Sequence, residues 1–65
     1  MKKGGVVKFR HPVDADEGRI RMILLEDPDG GRVLVQDLLD MPLPPTHVYP
    51  VDSLCAVEND NASAN

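Results

Sequence analysis

The side chains that most often carry out catalysis or bind transition metals are few in this chain of 65 residues. Two histidines, His11 and His47, and one cysteine, Cys55, are present. No two of them have zinc-type spacing, and a single cysteine cannot form an intramolecular disulfide. A Cys55–His47 pair could support nucleophilic catalysis, but Cys55 lies in an apolar stretch, where a buried, inert thiol is the usual outcome. We therefore predict no catalytic residue, no cofactor and no metal site, and a protein that is not an enzyme.

Three closely spaced acidic residues, Asp14, Asp16 and Glu17, are candidate oxygen ligands for a divalent cation. Their spacing does not fit an EF-hand loop, which needs a glycine at its sixth position and a bidentate glutamate at its twelfth. We interpret them as part of a polar, solvated loop at residues 11–18.

The charge is divided unevenly along the chain. Residues 1–36 contain all seven Lys and Arg against six acidic residues, whereas residues 37–65 contain five acidic residues and no Lys or Arg. The net charge of −4 argues against non-specific binding to nucleic acid, which depends on neutralising phosphates. Nucleic acid is therefore the less favoured partner.

A local basic patch remains an alternative. Lys8 and Arg10 share a face of one predicted strand, and Arg19 and Arg21 share a face of the next. These four residues are the candidate nucleic-acid contacts. A nucleic-acid surface normally adds stacking aromatic side chains, and Phe9 should point away from Lys8 and Arg10.

The elements that position these residues are predicted to be short strands. Segments of extended character alternate with turn residues, and no helical period is sustained over three turns. Pro, Asp and Gly at residues 27–31 give the strongest hairpin signal, and a 3₁₀ turn is predicted at residues 50–54. The predicted strands are 6–10, 19–26, 32–37, 46–49 and 55–58.

These strands predict an all-β domain at residues 6–58, a small SH3-like barrel of about five strands with a 3₁₀ turn near its C-terminus. An OB-like barrel is the alternative. Residues 1–5 are expected to be a flexible N-terminus and residues 59–65 a disordered tail.

The central hairpin is apolar on both faces, whichever register it adopts. A five-residue loop places Ile23 and Leu25 with Val33 and Val35, and a four-residue loop places Met22 and Leu24 there instead. A second apolar face suits either the interior of a barrel or an interface with a protein partner or with another copy. We take Ile23, Leu25 and Leu34 as the candidate interaction surface.

Targeting signals are not evident in the sequence. The N-terminus lacks the apolar region of a signal peptide, and the longest proline-free apolar run, 22–25, is too short to cross a membrane. We expect a soluble, cytoplasmic protein without membrane contact.

The C-terminal segment His-Val-Tyr-Pro-Val-Asp-Ser-Leu at residues 47–54 resembles the closing strand of the plasmid-borne type II dihydrofolate reductases. Those enzymes are SH3-like barrels that form a tetramer around one pore. The resemblance implies that His47, Val48 and Tyr49 would line such a pore and contact folate and NADPH. It departs from the family at His47, where the family has Gln, and in the central strands, which lack the family's Trp.

The whole chain also resembles short acidic barrel proteins of unknown function carried by plasmids, phages and integron cassettes, which are mobile genetic elements. That likeness implies no activity. The sequence therefore favours a non-enzymatic interaction module that mediates protein–protein contact or self-association. A nucleic-acid-binding barrel and a reductase-like pore enzyme are the alternatives.

Overall fold

The computed structural model of the chain describes residues 1–57. Within these residues it confirms the predicted all-β class, with five short strands and one 3₁₀ turn near the C-terminus. It adds one helix of only five residues, which the sequence analysis did not predict. The part of the last predicted strand at residue 58 and the predicted tail at 59–65 lie outside the described residues. The elements are β1 (Val6–Phe9), α1 (Ala15–Arg19), β2 (Met22–Leu24), β3 (Arg32–Asp37), β4 (Thr46–Pro50), the 3₁₀ turn (Val51–Ser53) and β5 (Leu54–Ala56).

All five strands form one antiparallel sheet in the order β4-β3-β2-β1-β5. The last strand therefore returns to pair with the first, where Phe9 lies opposite Leu54 and Val7 opposite Ala56. The arrangement is barrel-like, but the sheet is not closed, since β4 and β5 remain its two edges.

The β2–β3 hairpin resolves the register that the sequence left open. Leu24 lies opposite Val35 and Ile23 opposite Gln36, which places Met22 and Leu24 on the same face as Val33 and Val35. Of the two predicted arrangements, this is the one assigned to the four-residue loop.

The turn itself is tighter than either predicted loop. Asp29 and Arg32 exchange backbone hydrogen bonds of 2.8 and 3.1 Å across Gly30 and Gly31. Both glycines have positive φ, at 64° and 80°, as a two-residue type I′ turn requires. Between the Leu25–Leu34 hydrogen bond and the Asp29–Arg32 turn, three residues (26–28) on the β2 side lie opposite the single residue Val33 on the β3 side.

The core lies on one face of the sheet and is small. Alternate residues of the strands point towards it, as the two-residue period of a strand dictates. Phe9, Ile20, Tyr49 and Val51 pack against it and are partly buried. The side chains that are at most 2% exposed are Val7, Met22, Leu24, Val33, Val35 and Leu54.

The predicted loop at 11–18 and the predicted strand start at Arg19 are wrong, because residues 15–19 form α1. Asp14 is the N-cap, and its Oδ1 accepts a hydrogen bond of 2.8 Å from the Glu17 N–H. Glu17 Oε1 in turn accepts a bond of 3.1 Å from the Val13 N–H. Side-chain oxygens of Asp14 and Glu17 thus satisfy backbone N–H groups at the start of the helix. Because residues 15–19 are helical, β2 begins only at Met22.

Backbone hydrogen bonds connect residues 3–5 to the hairpin. The Gly4 N–H donates to the Leu24 carbonyl (2.8 Å), and the Leu24 N–H donates to the Gly5 carbonyl (2.9 Å). The Lys3 N–H donates to the Asp27 carboxylate. Among residues 1–57, no helix has the length and apolar character needed to cross a membrane.

Candidate functional site

The predicted interaction residues Ile23, Leu25 and Leu34 lie on the face of the sheet opposite the core. Ile23 is paired with Val6 of β1, and Leu34 is paired with Val48 of β4. The Leu25 N–H donates to the Leu34 carbonyl, which places these two side by side. We call Val6, Ile23, Leu25, Leu34 and Val48 the outer apolar face. Val48 is 58% exposed, and the other four are partly exposed.

The candidate nucleic-acid contacts are not arranged as two strand faces, because Arg19 ends α1. Its guanidinium lies 3.5 Å from the Asp16 carboxylate in a highly exposed ion pair. Arg21 donates to the carbonyls of Gly18 and Ile20. Lys8 lies on the outer side of β1, opposite Cys55.

Arg10 connects the end of β1 to the C-terminal part of the chain. Its Nε donates to the Asp52 carbonyl and its Nη2 to the Leu54 carbonyl, both at 3.1 Å. The Arg10 N–H also donates to the Ser53 carbonyl at 2.9 Å. This residue therefore fixes the 3₁₀ turn against β1.

Residues 47–49, the predicted pore contacts, divide between the two faces of β4. His47 and Tyr49 lie on the core side, with ring centroids 5.3 Å apart and planes inclined by 24°. His47 Nε2 is 3.2 Å from Asp37 Oδ2, an interaction that the sequence did not predict. Val48 points to the outer apolar face, because successive residues of a strand alternate.

A pocket of about 400 Å³ opens beside Tyr49, where β1, α1, β4 and the 3₁₀ turn meet. We call it the aromatic–acidic pocket. The rings of Phe9 and Tyr49 are in edge-to-face contact, with centroids 5.4 Å apart. Carboxylates come from α1 and from the 3₁₀ turn. The lining residues are Phe9, His11, Glu17, Tyr49, Asp52 and Ser53.

The phenol of Tyr49 is affected by burial and by two carboxylates, of which only Glu17 lines the pocket. Burial raises the pKa of Tyr49 above its usual value, and the charges of Asp37 and Glu17 raise this pKa further. Both carboxylates disfavour the phenolate through repulsion of like charges. Tyr49 therefore remains a neutral hydrogen-bonding group well above neutral pH.

Cys55 and His47, which the sequence suggested as a nucleophilic pair, do not lie on neighbouring strands of the sheet. Cys55 is on the outer side of β5, whereas His47 is on the core side of β4, at the other edge of the sheet. Within residues 1–57, no three His, Cys, Asp or Glu side chains are grouped so that they could hold a metal ion.

The aromatic–acidic pocket was missed in the sequence because four separate segments supply its residues, so no local spacing reveals it. One signal was present: Asp14 and Glu17 have the spacing of a capping box, which fixes the position of Glu17. Comparison with models of known protein families, with curated proteins and with solved structures found no match to this chain.

Proposed function

We propose that this protein is a non-enzymatic interaction module that associates with a second copy of itself through the outer apolar face. The observation that carries this proposal is the register of the β2–β3 hairpin. It uses Met22 and Leu24 for the core and leaves Ile23, Leu25 and Leu34 on the opposite side. Apolar side chains grouped on an exposed sheet face are typical of interaction surfaces.

The small core supports association as a source of stability. Among residues 1–57, six apolar side chains are at most 2% exposed. Chains of this length commonly depend on a disulfide, a metal or a partner subunit. A standard interface takes about 800 Å² from each partner. That is about one sixth of the accessible surface of 4771 Å².

The charges near the two ends of the outer apolar face differ. Lys8 lies on β1 towards the end where β2 begins. Near the other end, Glu26, Asp27 and Asp29 outnumber the single Arg32 that lies with them. A two-fold axis through the centre of the face brings Lys8 of each copy towards the acidic end of the other. Such an isologous contact is the usual symmetry of a homodimer.

The alternatives have less support. For a nucleic-acid site, three of the four basic residues already make hydrogen bonds or an ion pair within the chain. For a reductase-like pore, a tetramer would be required and Val48 would have to act from the outer side of β4. The proposed module works in a reducing cytoplasm, where Cys55 stays a thiol.

Sedimentation equilibrium of the full chain, from low to high micromolar concentration, tests the proposal. We expect a monomer–dimer equilibrium that Leu34→Asp shifts to monomer. Leu43→Asp is the matched control, since Leu43 is 85% exposed and is not part of the outer apolar face. Circular dichroism checks that each variant is folded, and Val48→Asp provides a second variant at a more exposed position of the same face.

Three results would contradict the proposal. A wild-type monomer at every concentration excludes self-association. A dimer that survives both Leu34→Asp and Val48→Asp excludes the outer apolar face. A tetramer that consumes NADPH with dihydrofolate favours the reductase-like pore.

A further inference from the structure

The aromatic–acidic pocket has the size of a ligand site. Its volume of about 400 Å³ falls within the range of about 300–1,000 Å³ that is typical of such sites. It shares no residue with the outer apolar face, since its aromatic residues lie on the core side of β1 and β4.

The charge of the lining residues favours a cation. Glu17 and Asp52 contribute carboxylates, and no Lys or Arg is among the lining residues. Glu17 uses Oε1 to accept the Val13 N–H, while the Asp52 carboxylate accepts no hydrogen bond from residues 1–57. The neighbouring Arg10 directs its guanidinium to backbone carbonyls, so it neutralises neither carboxylate through a hydrogen bond.

The aromatic side chains add a second source of attraction for a cation. The face of an aromatic ring attracts a positive charge within about 6 Å of its centroid. Phe9 meets Tyr49 edge to face, and His47 stacks on one face of Tyr49, so these two contacts hold the phenol ring in place. A cation would therefore approach the other face of the phenol or the ring of Phe9. A preorganised ring of this kind loses little conformational freedom when a ligand binds.

We propose that the aromatic–acidic pocket binds a positively charged side chain, preferably an arginine, from an exposed segment of a partner protein. The pocket is larger than a guanidinium group alone, which leaves room for the aliphatic stem of the side chain along Phe9 and Tyr49. Arginine is preferred over lysine because its planar group can stack on a ring and donate two hydrogen bonds to a carboxylate at the same time.

Titration with a blocked Gly-Gly-Arg-Gly-Gly peptide tests this proposal. The amide resonances of residues that line the pocket should shift, and the fluorescence of Tyr49, the only tyrosine, should change with the same Kd. The control peptide has citrulline in place of arginine, which keeps the shape and removes the charge. We expect it to bind at least about fivefold more weakly.

Protein variants locate the site. Glu17→Gln replaces the carboxylate by an amide whose oxygen can still accept the Val13 N–H. This variant and Asp52→Asn should each raise Kd about two- to fivefold, because each removes one charge interaction with the ligand. Glu26→Gln and Asp40→Asn make the same charge changes outside the pocket and should leave Kd within about 1.5-fold of the wild type.

Three parts of the proposal can be overturned separately: that the site binds a cation, that the site is this pocket, and that the ligand is a side chain of a partner protein. Equal binding of the citrulline peptide, or no response at millimolar arginine peptide, excludes a cation site. Equal weakening by Glu17→Gln and Glu26→Gln excludes this pocket. Methylguanidinium that binds more tightly than the peptide would overturn the assignment to a side chain within a protein segment and favour a free organic cation as the ligand.

Discussion

Two adjacent leucines provide the sharpest test of the hairpin register. Leu24 is 1% exposed in the core, whereas Leu25 is partly exposed on the outer apolar face. Leu24→Ala and Leu25→Ala are the same chemical change at neighbouring positions. Because a one-residue slip would exchange the two faces, the difference between their effects reports the register directly.

The expected magnitudes follow from burial. Leu→Ala removes three carbons, worth about 2.4 kcal/mol at about 0.8 kcal/mol for each fully buried CH₂ group. The cavity that remains raises the cost of Leu24→Ala to about 3 kcal/mol. Leu25→Ala leaves a space that solvent can fill, so about 1 kcal/mol or less is expected. The whole chain should have a free energy of unfolding of roughly 3–10 kcal/mol, so the first change is severe and the second is mild.

Urea unfolding followed by circular dichroism measures both variants. With a slope of about 1 kcal/mol per molar urea, Leu24→Ala should lower the midpoint by about 3 M and Leu25→Ala by about 1 M or less. Measurement at two protein concentrations separates any contribution of self-association, which depends on concentration. If Leu25→Ala were as costly as Leu24→Ala at both concentrations, the register and the core assignment would be wrong.

Three further predictions concern the turn, the helix and the single tyrosine. Gly31→Ala should lower the free energy of unfolding by about 1–2 kcal/mol, because Gly31 has a φ of 80°, which an L-residue with a side chain adopts only at a cost. Gly18→Ala should raise the free energy of unfolding by about 0.5–1 kcal/mol, because Gly18 lies inside α1, where alanine is the better helix former. Thermal unfolding of the two variants measures both effects. Asp14→Ala removes the helix N-cap and should cost about 0.5–2 kcal/mol in urea unfolding, whereas Asp14→Asn should cost only a few tenths. The pKa of Tyr49 is raised in the folded protein, so the unfolded chain loses this proton first and stability should fall above about pH 10. Tyr49→Phe should remove that part of the fall, and absorbance of the phenolate should show the raised pKa in the wild type; a tyrosine that titrates at its ordinary pKa would contradict the argument.

The sequence predicted the elements whose signals are local. The strand Arg32–Asp37 was predicted with its observed bounds, because it lies between a glycine turn and a proline-rich segment that cannot continue it. The 3₁₀ turn after Pro50 and the overall class were predicted for similar reasons. The register was not, because residues 22–25 are uninterrupted apolar side chains and have no alternation that distinguishes their two faces.

The rest depends on contacts between distant segments. Helix α1 is too short to show a helical period and contains Gly18, so only the Asp14–Glu17 spacing could have revealed it. The aromatic–acidic pocket joins Phe9 to Tyr49 through strand pairing and packing, which no spacing in the chain encodes. The sequence identified the charged residues as exposed. It could not show that Glu17 and Asp52 line the same pocket, because that depends on how distant segments pack.

The pairing of β5 with β1 has a consequence for how the protein is synthesised. Arg10 donates to the carbonyl of Leu54, 44 positions further along the chain, and Leu54 itself fills the core. A chain that emerges N-terminus first therefore exposes β1 and the apolar β2–β3 hairpin before the strand that completes them has been made. The sheet cannot be completed until residues 54–56 have left the ribosome, and until then one face of its core is open to water.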